Sequence, residues 1–203
     1  MNKQYNIIAD ANSSYKLSKL PNLIALDGAA EIFKAQNILP TLIIGDLDSI
    51  KPSTHKYFKD KNVKIIQIDD QNSTDLDKGI LHCLEHDATD IVIHNAIGSR
   101  LDHTLYNTRT LKKYHNNKTL IKIINESESI QYLQDCTIEI SGNIGQNIAI
   151  MAADEAVVSS QGLKYEMTDY LIKFGASEST SNEFAKLLIS LNIKGGALII
   201  KQQ

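Results

Sequence analysis

Leu42-Ile43-Ile44-Gly45-Asp46-Leu47-Asp48-Ser49 is an apolar run that stops at a glycine and then carries two acids separated by one residue. A near-continuous Leu/Ile run suits a strand covered on both faces. Gly45 lets the backbone turn sharply or approach a ligand closely. In an extended stretch Asp46 and Asp48 point to the same side, because strand side chains alternate with period two. That spacing could bring two carboxylates to one metal ion. Turn formation is the plain alternative, since Asp and Ser are common turn and cap residues.

The same grammar recurs on either side. Asp27-Gly28-Ala29-Ala30, Asp70-Gln71-Asn72-Ser73-Thr74-Asp75 and Gly98-Ser99-Arg100-Leu101-Asp102-His103 each follow an apolar run. Strands are predicted at 5–9, 23–26, 42–44, 63–68, 91–94 and 120–124, with helices at 29–35, 52–61, 75–85 and 103–114 between them. This alternation predicts an α/β domain with a mostly parallel sheet and right-handed crossovers. All four acidic segments then fall along its carboxyl edge, where open α/β sheets bind ligands. Two like charges ~4 Å apart cost about 4 kcal/mol at an effective dielectric near 20. A divalent cation relieves that repulsion, and oxygen-only ligands point to Mg²⁺. The pattern suggests phosphate chemistry.

Thr74 is a plausible N-cap, with acidic residues in the first helical turn facing the positive end of the macrodipole. Lys78 sits unfavourably near that helix start, which a phosphate partner would explain; an exposed lysine is the alternative. Arg100 offers a planar fork of donors for phosphate oxygens, and Asp102 could bind substrate or accept a proton. Alternatively, Ser99 and Asp102 form a capping arrangement and Arg100 pairs locally. His103 reads as helix-start structure before catalytic base. Asp27-Gly28 opens a helix whose N-terminus could carry a phosphate. The chain has neither G-x-G-x-x-G nor G-x-x-x-x-G-K-[ST], nor a G-x-S-x-G turn. His82 and His86 are four apart on a helix, but no third metal ligand is evident and a solvated face is the simpler reading.

After residue 125 the helical pattern thins. Strands are predicted at 129–133, 137–141, 147–151, 155–159, 163–167, 185–190 and 197–201, punctuated by Ser141-Gly142-Asn143 and Lys194-Gly195-Gly196. The 185–190 stretch also has helical character. The division is therefore an α/β domain at 1–125 and a smaller all-β sandwich at 126–203. At 203 residues, 42% hydrophobic and 22% charged, the chain has the composition of a soluble globular protein. A net charge of −3 without a basic run weighs against nucleic acid. Cys83 and Cys136 belong to no C-x-x-C pair and are expected as reduced thiols. No apolar run reaches the length of a membrane helix, and Met1-Asn2-Lys3-Gln4-Tyr5 lacks a signal-peptide pattern. A cytoplasmic location is expected.

In this order and spacing the segments resemble the thiamin pyrophosphokinase family. Those that carry the likeness are Asp27-Gly28-Ala29-Ala30, Gly45-Asp46-Leu47-Asp48-Ser49, Asp70-Gln71 through Thr74-Asp75 and Lys78, Arg100-Leu101-Asp102-His103, Gly162-Leu163-Lys164-Tyr165 and Ser179-Thr180-Ser181-Asn182-Glu183-Phe184. The resemblance implies an α/β domain followed by a β-sandwich, in a homodimer with active sites between subunits. It implies transfer of pyrophosphate from ATP to thiamin, giving thiamin diphosphate and AMP. On that reading Asp46, Asp48 and Asp75 bind Mg²⁺ with Asp27 nearby. Gly28, Gln71, Lys78 and Arg100 belong to the ATP site, and Asp102, Tyr165, Ser179, Ser181 and Asn182 to the thiamin site. The chain departs from the usual motifs in having Ala29 where a second glycine is common, Gly98-Ser99 before the arginine where two glycines are common, and Tyr165 where some members have Trp. Another Mg²⁺-dependent nucleotide phosphotransferase, or a non-catalytic sensor of thiamin diphosphate or nucleotide, is the alternative.

Overall fold

The computed structural model describes residues 3–98 and 100–203; Ser99, proposed above as a capping residue, lies outside them. The residues up to Asn125 form one compact unit and those from Glu126 onward another.

In the first unit β1 (Gln4–Ile8), β2 (Leu23–Leu26), β3 (Leu42–Gly45), β4 (Lys64–Gln67), β5 (Asp90–His94) and β6 (Leu120–Ile124) alternate with α1 (Ala30–Ala35), α2 (Pro52–Asp60), α3 (Asp75–Glu85) and α4 (Leu101–Lys113). The sheet order is β6-β5-β1-β2-β3-β4 and every neighbouring pair is parallel. This is the α/β architecture that the strand–helix alternation predicts. The chain builds outward from β1 to β4, then returns to the other side of β1 for β5 and β6. The order therefore reverses between β1 and β5, and a crevice at the carboxyl edge is expected there.

The interior strands β2 and β3 are buried along their whole length, whereas the edge strand β4 is half exposed. On one face Ile8, Ala25 and Ile43 pack with Phe33 of α1 and Phe58 of α2. On the other, α3 comes close because residue 79 is glycine; a Cβ there would sit 2.7 Å from Leu26 Cδ2. Helix α2 starts with Pro52 in its first turn, where the missing N–H costs nothing. Helix α4 begins at Leu101, two residues before the expected start.

The second unit is all β, but its strands are longer than the pattern suggests. β7 (Glu128–Ser141), β8 (Asn147–Gln161) and β11 (Leu188–Gln202) run antiparallel in the order β8-β11-β7. Each merges two segments that sequence separates. Register shifts near Gly195 and Gly196 replace the expected break. Gly195 has φ +92°, and a Cβ there would meet Glu155 O at 2.6 Å. The short strands β9 (Tyr170–Lys173) and β10 (Ser179–Glu183) pair with opposite halves of β8. Residues 163–167 make no strand beyond a Leu163–Phe184 bridge. Ile148, Ile150, Val158, Leu191, Ile193 and Phe184 anchor this unit's core. No helix among the described residues is long and apolar enough to cross a membrane.

Candidate active site

A crevice of about 520 Å³ opens at the carboxyl edge of the parallel sheet. Residues that follow β1 (Asp10, Ala11) and β5 (Ala96, Gly98) line one part of it, so it lies at the reversal of strand order. The two loops touch closely; a side chain at Gly98 would put its Cβ 2.7 Å from the Ala11 backbone oxygen. Asp27, Gly28, Asp46, Ser49, Thr74 and Asp75 continue the lining, and Arg100, His103, Tyr106 and Asn107 close it from the α4 side.

Asp27, Asp46 and Asp48 each offer a carboxylate oxygen, and these lie within 4.8 Å of one another. Asp46 and Asp48 do not meet by strand alternation. β3 ends at Gly45, and Leu47 has φ +66°, so the segment is a turn that brings both carboxylates to the cluster. Asp27 begins a short 3-10 turn at φ +35° and is 3% exposed. Its Oδ2 accepts from the Ser49 amide at 3.0 Å, while the buried Oδ1 has no hydrogen-bond partner. Burial raises the Asp27 carboxyl above its ordinary value. The Ser49 hydrogen bonds oppose that rise, and the Asp75 and Asp46 charges add to it. An orphaned buried carboxylate oxygen among all-oxygen donors fits a hard divalent cation, so Mg²⁺ suits the residues present.

Asp75 stands beside this cluster and outside its tightest group. Its Oδ1 accepts from the Asp46 amide at 3.2 Å and from Lys78 Nζ at 3.0 Å. Lys78 is 4% exposed and lies 3.9 Å from Asp46 Oδ2. Lys78, expected at the polyphosphate, has its ammonium turned into the carboxylates here, where it offsets their repulsion. Asp27 takes the third place in the tight carboxylate group that was expected for Asp75. Gln71 is exposed and does not line the crevice.

Arg100 lines the crevice but grips Asp102 with both ends of its fork, Nη2 to Oδ2 at 2.6 Å and Nε to Oδ1 at 3.3 Å; both side chains are 66% exposed. The local pairing considered for Arg100 is what the geometry has. The Arg100 hydrogen bond holds the Asp102 carboxyl well below the usual range, which makes Asp102 a weak base while the pair persists.

In the second unit Tyr165 is 61% exposed, and Lys164 Nζ lies 5.5 Å from its ring centroid. Ser181 is exposed at φ +57°, and Ser179 is half-buried. Asn182 is 1% exposed. Its Oδ1 accepts from the Tyr165 amide at 3.1 Å, and its Nδ2 donates to the Tyr165 carbonyl at 2.8 Å. Asn182, expected in the thiamin site, holds the turn that presents Tyr165.

Asp10 is the functional candidate that sequence reasoning passed over. It too follows an apolar strand, so the signal that found the other acids was there. Tyr106 and Asn107 carried no signal, because nothing in a helix interior marks which face meets a crevice. His82 and His86 stack with centroids 4.1 Å apart, and His86 Nδ1 donates to the His82 carbonyl. Cys83 is buried, which pushes its thiol up to about 12 and makes it unreactive.

A parallel sheet with an acidic crevice at its switch point defines a class, the α/β proteins that bind ligands at the carboxyl edge of the sheet. Residues 14–123 match the family described as thiamin pyrophosphokinase, catalytic domain, and 135–196 the family described as thiamin pyrophosphokinase, vitamin B1 binding domain. The chain belongs to the thiamin pyrophosphokinase family. It is 32% identical to thiamin pyrophosphokinase 1 of Caenorhabditis elegans over 175 residues, 79% of this chain and 70% of that protein. In fold it is similar to the thiamine pyrophosphokinase of Bacillus subtilis (TM-score 0.86, 23% identity, 99% of each chain). It is also similar to that of Candida albicans (TM-score 0.84, 18% identity, 99% of this chain and 92% of that one).

Proposed function

We propose that this chain transfers pyrophosphate from ATP to the primary alcohol of thiamin, giving thiamin diphosphate and AMP. The observation that carries the reading is the convergence of Asp27, Asp46 and Asp48 in a crevice at the switch point of the sheet, in a chain of this family. The thiamin hydroxyl oxygen bonds to the β-phosphorus and gives up its proton to solvent, and the bond from that phosphorus to the α-phosphate oxygen breaks, that oxygen leaving with AMP. Asp27, Asp46 and Asp48 would hold Mg²⁺, with Asp75 completing the acidic wall. When bound, Mg²⁺ supplies positive charge against the phosphate oxygens as charge builds on them. Lys78 keeps the acidic wall compact by balancing part of its charge. Gly28, where a Cβ would lie 2.6 Å from Asp10 Oδ2, would meet the polyphosphate through its backbone, and Arg100 turns its fork toward the phosphates as it leaves Asp102. Freed of Arg100, Asp102 orients the thiamin alcohol. Tyr165 offers an aromatic face to the cationic thiazolium, with Ser179 and Ser181 beside it and Asn182 holding the turn.

A homodimer in the cytoplasm completes the proposal. The exposed Tyr170, Leu171 and Phe174 are apolar surface available for a second subunit. One incubation with ATP, Mg²⁺ and thiamin, read by chromatography of all products, tests the activity. AMP and thiamin diphosphate in equal amounts are expected, and a chelator abolishes both. ADP with thiamin monophosphate, or binding without turnover, overturns the reading.

A further inference from the structure

Asp77 has no part in the chemistry above, yet it is fully buried two residues from Asp75. Its Oδ2 accepts from the Thr74 amide and hydroxyl at 2.9 Å each, and from Tyr106 OH at 2.7 Å. Its Oδ1 accepts from Lys113 Nζ at 2.8 Å and Tyr114 OH at 2.7 Å. A helix cap needs only the Thr74 part of this set. The other three donors come from α4 and the residue that ends it. Stability alone does not call for such a cluster, since well-packed apolar side chains often serve as well as a buried ion pair.

The cluster joins the two banks of the crevice. The first turn of α3 carries Thr74 and Asp75 on one bank, with Lys78 beneath. Helix α4 carries Tyr106 on the other, and Arg100 is its N-cap residue. We propose that Asp77 is a positioning residue that clamps the start of α3 to α4, so that Asp75 and Arg100 face the metal-bound polyphosphate at one fixed spacing. This rests on the function proposed above for the same crevice.

Lys113→Met and Tyr114→Phe test it, because neither residue lines the crevice. Tyr114→Phe leaves Lys113 on the same oxygen, so the carboxylate stays paired and the fold is kept. Three quantities are measured: the Mg²⁺ dependence of turnover, Mn²⁺ binding by electron paramagnetic resonance without substrates, and amide exchange at Asp75–Lys78. Each variant should need about tenfold more Mg²⁺ for half-maximal rate and bind Mn²⁺ about tenfold more weakly. Amides 75–78 should exchange faster while those of β1 and β5 do not change. The KM for thiamin should stay within about twofold, and Lys113→Arg should restore the wild-type values. Wild-type Mn²⁺ binding and exchange in variants that melt at lower temperature would show a merely structural cluster and sink the proposal. If the wild type itself does not turn over, the activity reading fails alone; Mn²⁺ binding and exchange still decide the role of Asp77.

Discussion

At position 45 a side chain would occupy space that Asp27 and Asp75 now share: its Cβ would lie 2.8 Å from Asp27 Cβ and 3.0 Å from Asp75 Oδ1. Neither neighbour is the loose end of a long side chain, so Gly45→Ala must push the carboxylates apart. We expect a loss of about 1–3 kcal/mol in urea unfolding, and a fall in turnover larger than that destabilisation accounts for. Full activity in the variant would show that the spacing is not needed. Asp46→Asn probes the charge instead. It keeps the shape, and turnover should drop by about 100-fold or more with an unchanged melt. Most of these residues were legible from sequence because strand-end acids are conspicuous. Their geometry was not. Asp46 and Asp48 converge through a positive φ at Leu47, and Lys78 turns inward because burial among carboxylates outweighs its poor place at a helix start. A one-dimensional pattern contains neither fact.

Helix α3 shows how much of an element its first turn decides. Thr74 Oγ1 accepts from the Asp77 amide at 3.2 Å while Asp77 Oδ2 accepts from the Thr74 amide, a reciprocal capping box. Thr74→Ala removes the hydroxyl that accepts from the Asp77 amide and donates to Asp77 Oδ2, and leaves the Thr74 amide in place. It should cost about 1–2 kcal/mol, read as a lower urea midpoint at unchanged slope; an unchanged midpoint would mean that the Asp77 network holds the turn unaided. Capping and 3.6-residue periodicity are local, and the bounds of α3 agree with the sequence reading for that reason. The second unit resists the same approach. Gln134-Asp135-Cys136 and Ala152-Ala153-Asp154 look like breaks between short strands. In the structure β7 and β8 run through them, since Asp135 takes φ +45° and its Oδ1 accepts from the Gly195 amide at 2.8 Å. β10 is composed of Ser-Thr-Ser-Asn-Glu and offers no apolar alternation; only its partner β8 makes it a strand.

Across the whole molecule the alternation of strands and helices announced the parallel sheet, but the strand order that locates the crevice is non-local and came only with the fold. That order also sets the pH dependence of stability. β1 and β5 are central neighbours, and His94 at the end of β5 is buried between them and the chain that follows β1. Its Nε2 bonds Asn6 Oδ1 at 3.1 Å and its Nδ1 bonds Tyr15 OH at 3.3 Å. A neutral ring that donates through Nε2 and accepts through Nδ1 satisfies both. Burial, with a smaller contribution from the Lys122 charge, pushes His94 down from 6.5 to about 4. As pH falls the unfolded chain therefore takes up this proton first. The His94 contribution is fully present above the unfolded value and is lost as pH drops toward the folded one. The total is on the order of 3 kcal/mol, with about 2 kcal/mol gone by pH 5. His82, also lowered by burial, pulls in the same direction. The urea midpoint should fall between about pH 7.5 and about pH 5, before most carboxylates titrate. His94→Gln keeps a donor and an acceptor but has no proton to gain, so it should flatten most of that fall. Parallel pH profiles for wild type and variant would mean that His94 already takes its proton inside the folded sheet.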